Sequence, residues 1–172
     1  HNASGSVSVI AGGTTNTASA STASIGGGSQ NTASASGARI GGGTQNTASG
    51  NYSGIFGGST NTITSGYSVI SGGLQNTVSG EYGFIGGGGQ CSVEERYSGI
   101  SSGYQNQITN HYSHIGGGRE NTIDGEYAYL GGGNDNSLTA SADYGTLGGG
   151  LRNTVSGFGA IVGGGIQHNA SG

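Results

Sequence analysis

The feature that most constrains this chain is a column of branched aliphatic residues spaced 15 apart: Ile10, Ile25, Ile40, Ile55, Ile70, Ile85, Ile100, Ile115 and Leu130. The register shifts once, where a two-residue insertion within 138–146 carries the column to Leu147, and Val162 then restores the step of 15. A period this short and regular marks stacked coils, in which no unit buries its apolar face alone and neighbours build a shared core. Six residues after each member stands an asparagine: Asn16, Asn31, Asn46, Asn61, Asn76, Asn106, Asn121, Asn136 and Asn153, with Cys91 and His168 replacing it in two coils. Two residues further on, a second apolar column runs through Ala18, Ala33, Ala48, Ile63, Val78, Val93, Ile108, Ile123, Leu138, Val155 and Ala170. Each coil thus offers two short strands. The sequence predicts an all-β parallel β-solenoid, or β-roll, of about eleven 15-residue coils, with residues 1–172 forming a single repeat region.

Strand alternation assigns the faces. In the first strand the Ile column and the small residue two before it (Ser53, Ser68, Gly83, Ser98) point inward, and the column Tyr52, Tyr67, Tyr82, Tyr97, Tyr112, Tyr127 and Tyr144 falls on the opposite face. In the second, the apolar column points inward, while Thr17, Thr32, Thr47, Thr62 and Thr77 point out together with Ser19, Ser34, Ser49, Thr64 and Ser79. Glycine pairs such as Gly72-Gly73 supply the positive φ of tight corners. The Asn column predicts a stacked hydrogen-bonding ladder. Charges follow the same register, with Glu81, Arg96, His111, Glu126 and Asp143 one per coil. Glu81 with Arg96 and Asp135 with Arg152 are expected to pair one rung apart, each exposed pair contributing at most ~1 kcal/mol.

Composition matters because it would otherwise mislead. With 42 Gly, no Pro, Met, Trp or Lys, and 30% hydrophobic residues, averages alone would indicate disorder; the periodicity argues the reverse. A net charge of -4 without a basic stripe speaks against nucleic-acid binding. No apolar run approaches the roughly 20 residues that span a bilayer. The chain opens at His1 without Met or a signal-peptide pattern and reads as a piece of a longer protein. The pentapeptide His1-Asn2-Ala3-Ser4-Gly5 recurs in the same phase as His168-Asn169-Ala170-Ser171-Gly172, which reads either as two coils that happen to agree or as a larger repeat in a continuing array.

Chemical motifs are weighed and set aside. A calcium roll needs an acidic ligand where Gly-Gly-x-Gln-Asn stands, and Glu94 and Asp124 are isolated in their column. No Lys follows the Gly triplets as a phosphate loop requires. His111 and His114 share a coil with nearby serines, but a flat repetitive face lacks a catalytic pocket. The single Cys91 reads as a neutral replacement and permits no intrachain disulfide. Asn2-Ala3-Ser4, Asn51-Tyr52-Ser53 and Asn169-Ala170-Ser171 match the glycosylation sequon, in a composition where chance matches are common. No catalytic residue, metal or cofactor is expected, and the chain does not read as an enzyme.

Two apolar columns are a thin core without disulfide or metal. Such a core is expected to gain support from several chains packed side by side. The Tyr column is then either part of the shared surface or an exposed stripe.

The unit Ser65-Gly66-Tyr67-Ser68-Val69-Ile70-Ser71-Gly72-Gly73 resembles the head repeat of trimeric autotransporter adhesins, the YadA-like left-handed parallel β-roll, and similar units occur in viral and phage fibre proteins. The resemblance covers essentially the whole chain, although that family's unit is usually one residue shorter, with a Ser-Val-Ala-Ile-Gly core. It implies a homotrimer or filament of parallel rolls, displayed extracellularly on a cell or virion surface and used for attachment to a host-surface or matrix ligand. The rival reading is ice binding, with the Thr-x-Ser/Thr array from Thr17 to Thr77 as an ordered hydroxyl surface that Glu94, Gln107 and Asp124 interrupt further along.

Overall fold

The structure, a computed structural model, describes residues 1–171. It is a parallel β-solenoid whose two-residue strands stack into two sheets. The first, here the hydroxyl sheet, has 12 strands from Asn2–Ala3 through Thr17–Ala18 to Asn169–Ala170. The second, the isoleucine sheet, has 11 strands from Val9–Ile10 to Ile161–Val162. Every pairing is parallel and in register, as in Thr17 with Thr32 and Ile25 with Ile40. A third row of single bridges, Thr14 to Ser29 to Thr44 and on to Ile166, closes a side that the sequence pattern did not predict.

Short strands suffice because each coil is bonded to both neighbours. At strand positions the N–H donates to the following coil, as Thr17 N does to the Asn31 carbonyl at 2.8 Å. At two corners the direction reverses: Tyr67 N donates to the Asn51 carbonyl and Gln75 N to the Ser59 carbonyl, both at 2.9 Å. The reversal comes from the left-handed backbone, with φ of 57° at both Tyr67 and Gln75. The expected glycine corner is also present, and in the pair Gly72-Gly73 the second member alone has positive φ: Gly73 has φ 102°, and a Cβ there would lie 2.1 Å from the Gly88 carbonyl oxygen. The Tyr column therefore occupies a corner preceding the first strand, rather than the strand's outer face as alternation alone predicted.

The core lies between the sheets and is complete within one chain. Ile25, Ile40, Ile55, Ile70, Ile85, Ile100, Ile115, Leu130 and Leu147 are buried, as is the facing column from Ala18 to Val155; Val162 is nearly so and Ile10 partly. Volume is shared across the core. Coils with Ala18 and Ala33 pair them with Ala23 and Ala38, whereas Val78 faces Gly83, where a Cβ would lie 2.5 Å from Val78 Cγ1. The inward serines form a polar ladder: Ser98 Oγ donates to the Asn110 carbonyl at 2.8 Å and accepts from Ser113 N at 3.1 Å. Ser113 repeats the pattern with the Gly125 carbonyl and Ala128 N.

The asparagine ladder is fully buried. Asn46 shows the pattern: its Nδ2 donates to the Gly42 carbonyl at 3.0 Å and the Gly58 carbonyl at 2.9 Å, and its Oδ1 accepts Asn61 N at 3.0 Å. One amide thus joins its own corner to the next coil through both of its ends. The two-residue insertion leaves this corner untouched, since Asn153 N still reaches Asn136 Oδ1 at 2.9 Å. It is absorbed at the opposite corner by a turn in which Ala142 N donates to the Thr139 carbonyl at 2.8 Å.

Cys91 breaks the ladder. Its N–H still donates to Asn76 Oδ1, but its thiol has one weak S–H for the Gly89 or the Gly103 carbonyl, 3.5 and 3.6 Å away, and offers Asn106 N no amide oxygen. Cys91→Asn is therefore expected to stabilise the fold by about 1–2 kcal/mol, seen as a higher denaturant midpoint. Asn61→Ala, which strips partners from buried groups in two coils, is expected to cost about 3 kcal/mol in the same measurement.

Candidate functional site

With the core closed, the solenoid's outside holds three long columns, and these are the candidate surfaces. The first is the tyrosine ladder. Tyr52, Tyr67, Tyr82, Tyr97, Tyr112, Tyr127 and Tyr144 stack ring on ring, with centroids 4.8–5.5 Å apart and interplanar angles of 3–17°. Each remains 43–60% exposed. The stack is bounded by glycines at the same corner: the Tyr52 ring lies against Gly37, and at the far end Gly159 (φ 64°) takes the position while Phe158 meets Tyr144 edge-on at 5.4 Å. Ring spacing follows from strand spacing of about 4.8 Å, so the coils themselves set the stack. Partial desolvation, and then the neighbouring Glu81 or Glu126 carboxylate and the adjacent phenols, push the Tyr82 and Tyr127 hydroxyls up from their ordinary pKa.

The second column is the hydroxyl array. Thr17, Thr32, Thr47, Thr62 and Thr77 are consecutive register partners, and their hydroxyls make no hydrogen bond to protein among the described residues. Ser92 continues the column and Gln107 interrupts it; Gln107 Nε2 donates to Glu94 Oε1 across the array. Thr109 Oγ1 likewise donates to Asp124 Oδ1.

The third is the outer face of the isoleucine sheet. Val9, Phe56, Phe84, Tyr129 and Ile161 stand exposed there, separated by Gly26, Gly41, Gly54, Gly86, Gly99 and others. No acidic residue occupies this face among the described residues, and all eight acidic residues lie in other columns, at or beyond Glu81. Two shallow depressions of about 320 Å3 each flank Arg39 and Phe56.

Asp135 and Arg152 pair at 3.2 Å, as their register predicts. Glu81 and Arg96 do not pair; Glu95 instead meets His111 at 3.3 Å and Arg119 bonds its neighbour Glu120 at 2.8 Å. An exposed pair gains too little over hydration for register alone to impose it. His114 Nε2 lies 3.1 Å from Ser101 Oγ and its ring stacks on Tyr129 at 5.9 Å; burial lowers its pKa. His111 takes no part in that contact. Burial pushes the Cys91 thiol pKa up from its ordinary value. Among the described residues no three His, Cys, Asp or Glu side chains converge as metal ligands, and no helix is long and apolar enough to cross a membrane.

No protein-family model matches the chain, and no curated protein matches it. The reading of its function rests on the three columns.

The tyrosine corner has a testable energetic signature. Tyr97 sits at φ 57° between two stacked rings, 4.9 and 5.1 Å away. Tyr97→Ala loses both contacts and keeps the left-handed penalty of about 1–2 kcal/mol, whereas Tyr97→Gly loses the contacts and sheds that penalty. Chemical denaturation is expected to find the Ala variant the less stable of the two, the reverse of the usual order in regular structure.

Proposed function

We propose that the chain is a structural rod of an extracellular surface fibre or adhesin. It associates with copies of itself, as a homotrimer, through the outer face of the isoleucine sheet, and turns its other columns outward for attachment. The observation that carries this reading is the character of that face: exposed Val9, Phe56, Phe84, Tyr129 and Ile161 on a glycine-flattened sheet from which acidic residues are absent among the described residues. With 11 strands about 4.8 Å apart, the face is about 50 Å long. Apolar side chains spaced along a face of that length, which holds Arg39 and His114 but no carboxylate among the described residues and is edged by polar columns, match the anatomy of a protein–protein interface. The drive to associate comes from this outer face, because the inner columns are already buried within one chain. Parallel rods meeting on such faces pack as sheet on sheet, with glycines leaving room for the partner's Phe or Ile.

Light scattering is expected to give three times the chain mass of 16.6 kDa. A folded monomer at high concentration would overturn the assembly. Phe56→Glu with Phe84→Glu is expected to yield folded monomers with an unchanged far-ultraviolet spectrum, because both side chains are exposed and contribute nothing to the inner core.

A second reading has a specific observation behind it, the free hydroxyls of Thr17 to Thr77 in direct register. Such an array repeats at about 4.8 Å between coils and about 7 Å along the strand, a periodic surface suited to ordered water. Thermal hysteresis that disappears in Thr32→Tyr with Thr47→Tyr is the expected result if this sheet binds ice, and freezing indistinguishable from a buffer of equal osmolality excludes it.

A further inference from the structure

We infer that the column Tyr52, Tyr67, Tyr82, Tyr97, Tyr112, Tyr127 and Tyr144 is a site of oxidative modification, at which hydrogen peroxide and a haem peroxidase join one rod to another through dityrosine bonds. The inference goes beyond the rod reading, since it concerns covalent union at a corner and not the isoleucine sheet.

The stack decides which atoms are offered. Ring faces lie against neighbouring rings at 4.8–5.5 Å, and each residue is still 43–60% exposed, so what reaches solvent is the rim: the hydroxyl and the Cε carbons beside it. Those Cε carbons, ortho to the oxygen, are where a phenoxyl radical carries spin and forms carbon–carbon bonds. The stack also spreads the oxidation. An electron lost from one ring can be replaced from the next, so six ring-to-ring steps make the column one extended target.

The same geometry directs coupling outward. Neighbouring rings within a chain are parallel at about 5 Å, and each is fixed at a left-handed corner with φ 54–59°. Their ortho carbons cannot meet edge to edge without a ring leaving the stack. Two ladders on different chains can meet in that way.

A second observation is the absence of competing targets. The chain has no Met and no Trp, and its single cysteine, Cys91, is buried. Outside the ladder only Tyr104 and Tyr129 carry phenols. A one-electron oxidant approaching this surface meets chiefly the ladder.

The step balances. Two phenols on different chains each give one electron and one proton to hydrogen peroxide through the peroxidase haem, yielding two waters. The two phenoxyl radicals then join Cε to Cε. The hydrogens on those carbons pass through solvent to the two oxygens, restoring both aromatic rings and both hydroxyls.

The test uses the whole chain with a haem peroxidase and limiting hydrogen peroxide. Dityrosine fluorescence, denaturing gels and mass spectrometry of cross-linked peptides are the readouts. Three proteins are compared: the native chain, a variant with all seven ladder tyrosines changed to Phe, which keeps the rings but removes the phenols, and Tyr104→Phe with Tyr129→Phe. Covalent multimers are expected from the native chain and the double variant alike, with cross-links mapping to the ladder, and are expected to be lost in the seven-Phe variant. Equal cross-linking by the seven-Phe variant overturns the inference. So do cross-links confined to Tyr104 and Tyr129, or ladder bonds formed only within one chain. Light scattering before oxidation keeps the two proposals separate: a monomer that still cross-links through its ladder removes the trimer and leaves this site standing. Circular dichroism of the seven-Phe variant establishes its fold, and should it not fold, single Tyr→Phe changes along the ladder must each remove the cross-linked peptides of that ring.

Discussion

The register of one coil on the next depends on a buried side-chain amide. Each asparagine of the ladder donates from Nδ2 to a glycine carbonyl in its own coil and to another in the next, while its Oδ1 takes the N–H of the following asparagine. A buried amide left without these partners is costly, so the corner tolerates neither a different length nor a different rotamer. The placement of the insertion agrees with this constraint. Two extra residues are accommodated beside Ala142, at the opposite corner, and the hydrogen bond that Asn153 N donates to Asn136 Oδ1 spans them unchanged. Where the amide is missing, at Cys91, the neighbouring ladders hold the register on both sides.

Once register is fixed, every lateral property becomes a column. The small inward residue accompanying each apolar pair differs from coil to coil: Ala23 and Ala38 go with Ala18 and Ala33, and Val78 faces Gly83, where a Cβ would not fit. Columns also concentrate cost. Tyrosine and glutamine at left-handed corners are unfavourable in isolation, yet they recur because the reversed N–H there bonds the preceding coil. For tyrosine, ring stacking offsets part of that cost, at about 0.5–1.5 kcal/mol per pair. No comparable compensation is evident for Gln75 or Gln105 beyond the backbone bond and, at Gln90, a side-chain bond to Gln75 at 3.1 Å.

The sequence made the Ile column, the Asn column and the outward hydroxyls legible because those positions largely repeat one residue type and one side of the sheet. The Tyr column was legible as a column and not as a corner. Period-two alternation extends a strand two residues too far when the real strand is only two residues long, as with Val69–Ile70. Left-handed tyrosine carries no compositional signal like that of glycine, and Gln75 gives no more warning. The inward serines were visible as small residues, but their ladder of hydroxyl to carbonyl bonds depends on the next coil's geometry. The third row of bridges has no signature in the sequence because it mixes Thr14, Leu74, Tyr104 and Arg119, residues with nothing in common but position. Glu81 and Arg96 failed to pair because proximity of exposed charges sets an opportunity and not a geometry.

A wall of identical coils also limits what the outside can recognise. A pocket requires side chains of different size converging on one point, and repetition supplies side chains of equal size in parallel rows. Two shallow depressions lie where the rows are broken, around Arg39 and Phe56, beside the glycine that bounds the tyrosine ladder. Elsewhere the chemistry on offer is a line of phenols, a grid of hydroxyls or a strip of apolar groups, each repeating at the strand spacing. A partner that exploits such a surface has to be extended or periodic itself, such as another rod, a lattice or a polymer. The energy of each contact is small and its multiplication along the axis is what makes binding firm. Lengthening the solenoid strengthens all three surfaces together, whereas altering one coil weakens any of them only by its share.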